Sequence, residues 1–155
     1  FSRARGSQNA AQSRAVLRYA LLSAFALSAV LYAVLFIFAV PVSDFFNSEH
    51  SQALREIAVR GLRLYFIAMP FAAVNILLCS YFSAEERALP AQIVSLLRGL
   101  IVILPAAFLL CALWAETGVW LAFPVTEAIV CAVAAGFLAF SARSARKKGE
   151  ERTNF

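Results

Sequence analysis

Four stretches of this chain, residues 19–42, 64–84, 88–114 and 119–140, are almost purely apolar for more than twenty residues each. A helix rises about 1.5 Å per residue, so about 20 residues cross the roughly 30 Å hydrocarbon core of a bilayer. Backbone amides find no water in hydrocarbon, so each stretch is expected to be helical. The sequence therefore predicts an all-α membrane protein with four transmembrane helices. Composition agrees: of 155 residues, 62% are hydrophobic and 15% charged, and mean hydropathy is +0.77. A soluble domain of this length has no interior able to hide so much apolar surface.

The chain divides into a basic lead-in over residues 1–18, a transmembrane part over 19–140 and a polar tail over 141–155. The lead-in begins at Phe1 without methionine, and the apolar run after it is too long for a signal peptide and lacks a small-residue cleavage site. The start therefore reads as truncated or processed. Between the first two spans, Ser51 is placed to cap a short amphipathic helix carrying Leu54, Ile57 and Leu62. The connections at 85–87 and 115–118 are short enough to make the last three spans consecutive antiparallel neighbours.

Orientation follows from the basic residues, which accumulate on the cytoplasmic side. Ten lysines and arginines fall on one side of the predicted spans, in the lead-in, at Arg87 and in the tail, against Arg55, Arg60 and Arg63 on the other. Both ends of the segment are therefore expected in the cytoplasm, with the protein in the plasma (inner) membrane. The net charge of +5 is not a nucleic-acid footprint, because the basic residues flank apolar runs and are not interleaved with aromatics on a polar face. Membrane lipids are the partners this implies, with the Arg143 to Lys148 cluster as a topology anchor and an otherwise largely disordered tail.

No catalytic constellation is legible. The single histidine, His50, lies in a loop, and no glycine-rich phosphate loop or metal-ligand spacing is present. Cys79, Cys111 and Cys131 stand alone in separate apolar runs and read as small buried hydrophobes. No enzymatic activity, metal or cofactor is expected.

What stands out is polarity in the wrong place. Glu127 falls near the middle of the fourth span, where a carboxylate must pair, take up a proton or face a cavity. It shares a helix face with Phe123, Pro124, Cys131 and Ala134. It reads either as a cation contact or protonatable gate, or as a structural hydrogen-bond partner. Arg98 lies in the third span on a stripe with Gln92, Ser95 and Gly99, and leans toward its helix N-terminus, from where it can snorkel to the inner surface. An axial offset of roughly 5–10 Å between antiparallel helices makes a direct Arg98–Glu127 salt bridge unattractive, leaving a water-bridged coupling. Asn75 in the second span is a further polar candidate, with a helix-to-helix hydrogen bond as the plain reading. Pro70, Pro105 and Pro124 interrupt the last three spans and are candidate kinks or gates.

Four segments then carry a resemblance: the run from Gly61 to Phe71 (GLRLYFIAMPF), Tyr81-Phe82-Ser83-Ala84, Ser95-Leu96-Leu97-Arg98-Gly99, and the run from Gly118 to Glu127 (GVWLAFPVTE). In order and spacing they resemble the last three helices of the multidrug and toxic compound extrusion family, closest to its bacterial MepA-like exporters. The resemblance implies helices nine to twelve of a twelve-helix, two-lobe transporter whose N-terminal lobe is the missing partner. It implies an antiporter of cationic amphipathic small molecules, coupled to a proton or sodium gradient. Some sodium-coupled relatives carry an acid in the tenth helix, whereas residues 64–84 here carry none. A lipid-linked oligosaccharide flippase of the same superfamily would want several basic residues facing its cavity, and only Arg98 is available. A complete four-helix scaffold or small exporter is the other alternative, although the first span lacks the acid a small exporter would use.

Overall fold

A computed structural model of the protein describes residues 10–48, 51–86 and 88–153, with side-chain surroundings for 15–48, 51–86 and 88–141. His50, Arg87 and the first nine residues lie outside the described residues, as do the side chains of the tail cluster.

The described residues are helical almost throughout, with no strand among them. Helix α1 runs Ala10–Phe46, α2 runs Gln52–Tyr65, a 3-10 turn covers Phe66–Ala68, and α3 runs Met69–Ala84. Helix α4, Ala88–Leu96, passes through a π-turn at Leu97–Ile101 into α5, Ile103–Thr153. Three continuous stretches are long and apolar enough to cross a membrane: Ala15–Phe46, Gln52–Ala84 and Ala88–Ser141. The protein is thus an all-helical, multi-pass membrane protein.

The third stretch is not straight. Trp114 (φ −130°, ψ 16°) and Ala115 (φ 47°, ψ −123°) leave helical geometry and divide α5 into limbs 103–113 and 116–153. Gly118 then lies directly against the backbone of Leu110, eight residues earlier, where any Cβ would collide with the Leu110 carbonyl. On a continuous helix those residues would be about 12 Å apart, so the limbs fold back on each other. Glycine is required here by close approach. The reversal occupies two residues, where the sequence suggested four, and residues 116–118 are already helical.

Helix ends follow local chemistry. The Ser51 hydroxyl accepts from the Leu54 amide at 3.4 Å, capping α2 as expected. Asn47 braces the same turn: its Nδ2 donates to the Ser51 carbonyl at 2.8 Å, and its Oδ1 accepts from the Ser51 amide at 3.3 Å. The backbone departs from expectation at the edges: α1 extends four residues past Val42, and α5 remains helical to Thr153, where a largely disordered tail was anticipated.

The core sits where α1, α3, α4 and the second limb of α5 meet, built on Leu17, Leu78, Phe82, Val94, Val130 and Ala134. Most large apolar side chains of α1 face outward instead, Tyr19 being 73% and Ile37 69% exposed. In a bilayer that outer face is solvated by acyl chains and needs no protein cover.

Candidate functional site

The site is built on three helical segments that each deliver one polar side chain to one buried point. Glu127, from the second limb of α5, is 0% exposed, and Asn75, from the middle of α3, is 1% exposed. The Nε of Arg98, in the π-turn, donates to Glu127 Oε1 at 2.5 Å. Asn75 Nδ2 donates to Glu127 Oε2 at 2.8 Å and to the Glu127 backbone carbonyl at 2.9 Å. Both carboxylate oxygens are therefore engaged, and the ion pair is charge-neutral with its anion fully buried.

This corrects the expectation that Arg98 and Glu127 would not touch. The two-residue reversal at Trp114 and Ala115 leaves an axial offset of about four residues, or roughly 6 Å, within the range expected from the sequence. A long arginine covers that span. The π-turn contributes too: the Val102 amide donates to the Leu97 carbonyl at 2.9 Å, a five-residue bond that inserts an extra residue beside Arg98 and shifts the side chains around it. Arg98 therefore reaches across to Glu127 with its Nε. Its side chain remains 30% exposed.

Two buried oxygens, one on the Asn75 amide that holds the carboxylate and one on the residue preceding Glu127, have no partner among the described residues. Asn75 Oδ1 and Thr126 Oγ1 are both buried without a hydrogen bond. A buried polar atom left unpaired costs about 1–3 kcal/mol, so the Asn75 amide that holds the anion keeps unused acceptor capacity. Thr126, fully buried, was not singled out from sequence. A threonine adjacent to an intramembrane acid was the available signal.

The other expected members of the Glu127 face take separate roles. Phe123 stacks on Tyr65 of α2, with ring centroids 4.8 Å apart and planes 14° from parallel. Ala134 is buried in the core, while Cys131 is only partly buried. Cys79, read as an inert hydrophobe, is also partly buried, and its thiol lies 3.3 Å from the Ser95 hydroxyl and 3.6 Å from the Ala91 carbonyl.

The three prolines divide as well. Pro70 stands in the first turn of α3, where a missing amide costs least, and the irregularity there is the preceding 3-10 turn. Pro105 follows the π-turn and cannot donate to Ile101, which belongs to that turn, so proline and π-turn form one irregular unit beside Arg98. Pro124 lies inside the second limb, where the helix continues through it. Among the described residues, no three His, Cys, Asp or Glu side chains cluster as a metal site would need.

Searches among curated proteins and among solved structures gave no match. The sequence profile of one family, MatE, matches residues 1–109. That span takes in Asn75 and Arg98 and ends before Glu127, so the closeness of the three rests on geometry and not on the family match. A profile covering more than half of the residues, on a chain of long apolar helices, shows that this protein belongs to the MatE family of membrane transporters.

Proposed function

We propose that this chain is the C-terminal part of an ion-coupled multidrug or cation antiporter, similar to the MepA-like exporters, and that Glu127 is the group through which coupling ion and cargo compete. Its apolar stretches cross the plasma membrane four times, the two limbs of α5 counting separately, with both ends of the segment in the cytoplasm. The observation that carries this reading is the fully buried Glu127 carboxylate, held by Arg98 and Asn75.

The chemistry follows from neutrality. While Glu127 is ionised, Arg98 supplies its counter-charge, and a proton or a cation can occupy the carboxylate only by weakening that pair. The unpaired oxygen of the Asn75 amide lies ready to take up a hydrogen bond or a small cation. Releasing Arg98 frees the second limb of α5 from the π-turn, which couples occupancy at one carboxylate to a change in helix packing. Cationic amphipathic molecules are the cargo class suited to an acid of this kind, and the gradient supplies H+ or Na+. Alternating access needs a second lobe opposing this one, so the four helices alone are inactive.

A structural reading has one observation in its favour, since both carboxylate oxygens are already bonded. Transport separates the two. In the full transporter, Glu127→Gln keeps the size and the Asn75 contact, so expression should survive while ethidium export into an imposed ion gradient falls close to that of empty vesicles. Export at the unaltered rate would return Glu127 to a purely structural role.

A further inference from the structure

The end of α1 and the polar side of α2 flank an open groove of about 550 Å³. Val40 of α1 with Val59 and Leu64 of α2 supply its apolar lining, and Arg55, Arg60, Arg63 and Glu56 supply charge. The α2 members recur at three- and four-residue spacing, so they share one helix face. Two of the arginines reach across to α1 on either side of Val40. Arg55 meets Asp44, one turn beyond, with Nε 2.6 Å from Oδ1 and Nη2 donating to Oδ2 at 3.1 Å. Arg63 sets its guanidinium carbon 4.7 Å from the centre of the Phe36 ring, one turn before.

The charges do not balance. Arg55 is neutralised by Asp44, but neither Arg60 nor Arg63 forms an ion pair with a carboxylate among the described residues, Glu56 included. An aromatic face attracts Arg63 without supplying a formal counter-charge. Depth sharpens the imbalance. Phe36 lies six residues before the apolar run of α1 ends at Val42, about 9 Å by helical rise, and it is 44% exposed on the outward face. A cation drawn toward hydrocarbon calls for an anion. At the border of a bilayer the anion at hand is a lipid phosphate, and basic pockets between membrane helices recognise such head groups.

We propose that this groove holds one anionic phospholipid, its phosphate at Arg60 and Arg63 and an acyl chain along Val40 and the exposed Phe36 ring. Glu56 opposes the phosphate but is outnumbered by the two unpaired arginines. A free phosphate ion would leave the apolar lining uncovered, and a lipid of no net charge would leave the excess positive charge standing. The site is separate from the Glu127 carboxylate, whose arginine is already paired.

Lipid binding to the full chain in neutral detergent, followed by native mass spectrometry, tests this. Dioleoyl phosphatidylglycerol should bind roughly thirtyfold tighter than dioleoyl phosphatidylcholine, the weight of two arginines at a membrane surface. The tails are identical, so the head group alone decides. Arg60→Gln, on an exposed position of α2, should weaken phosphatidylglycerol binding roughly fivefold, and adding Arg63→Gln should bring it to the phosphatidylcholine level. Glu56→Gln should tighten binding several-fold, a gain that misfolding does not produce. Equal affinity for the two lipids, or unchanged phosphatidylglycerol binding by the double variant, would overturn the proposal, the latter result pointing to another basic segment such as Arg143 to Lys148. Displacement of the lipid by an excess of inorganic phosphate would overturn it too, making the free ion the occupant.

Discussion

Helix α1 and the second limb of α5 are both long apolar helices, yet they relate to the protein interior in different ways. The buried positions of α1 include Leu17, Ser28, Ala39 and Ser43, a narrow stripe of mostly small residues, while most of its large side chains point outward. The limb buries Ala122, Thr126, Glu127, Val130 and Ala134, a continuous face at helical spacing with a charge in its middle. Hydrophobicity does not separate the two, because lipid and protein interior are equally apolar. Small and polar residues do, since they let helices approach closely and hydrogen-bond across the gap.

That difference can be broken experimentally. The largest effect is expected for Arg98→Leu, which leaves the Glu127 carboxylate buried with only Asn75 to hold it. Loss of one partner from a buried pair costs about 3–5 kcal/mol, measurable by equilibrium unfolding in mixed micelles, and adding Glu127→Gln should recover most of it. A loss below about 1 kcal/mol would mean that the carboxylate takes up a proton or water at little cost, and the limb would then differ little from α1. Asn75→Leu removes two bonds to Glu127 but leaves the ion pair, so a smaller loss of about 1–3 kcal/mol is expected in the same assay. Leu27→Ala on the outward face of α1, where Leu27 is 62% exposed, should change stability by no more than about 0.5 kcal/mol. A larger change there would show that this face is covered by protein and not by lipid.

The contrast also explains which parts of the site were legible from sequence. Asn75, Arg98 and Glu127 each stood out singly, because a polar side chain in a long apolar run demands a partner. Their convergence did not, and the direct Arg98–Glu127 contact was counted as unattractive. The axial offset fell within the expected range, and the error lay in discounting the reach of a long arginine set in an irregular turn. A two-residue turn with Ala115 at positive φ is unusual for a residue other than glycine, and the π-turn at Leu97–Ile101 has no clear sequence mark beyond the proline that follows it. Thr126 was overlooked because threonine is unremarkable in an apolar helix until its hydroxyl is found without a partner. Trp120 against Gly61 likewise joins residues 59 positions apart that no local pattern connects.

The sequence by itself determined that this chain is helical and lives in a bilayer, since long apolar runs leave the backbone no other way to satisfy its amides in hydrocarbon. It also determined which residues could not be mere filler. The tertiary structure decided which of them meet. Contact across helices depends on turn length, on one inserted residue in a π-turn and on side-chain reach, shifts of a few ångströms that composition and periodicity do not record.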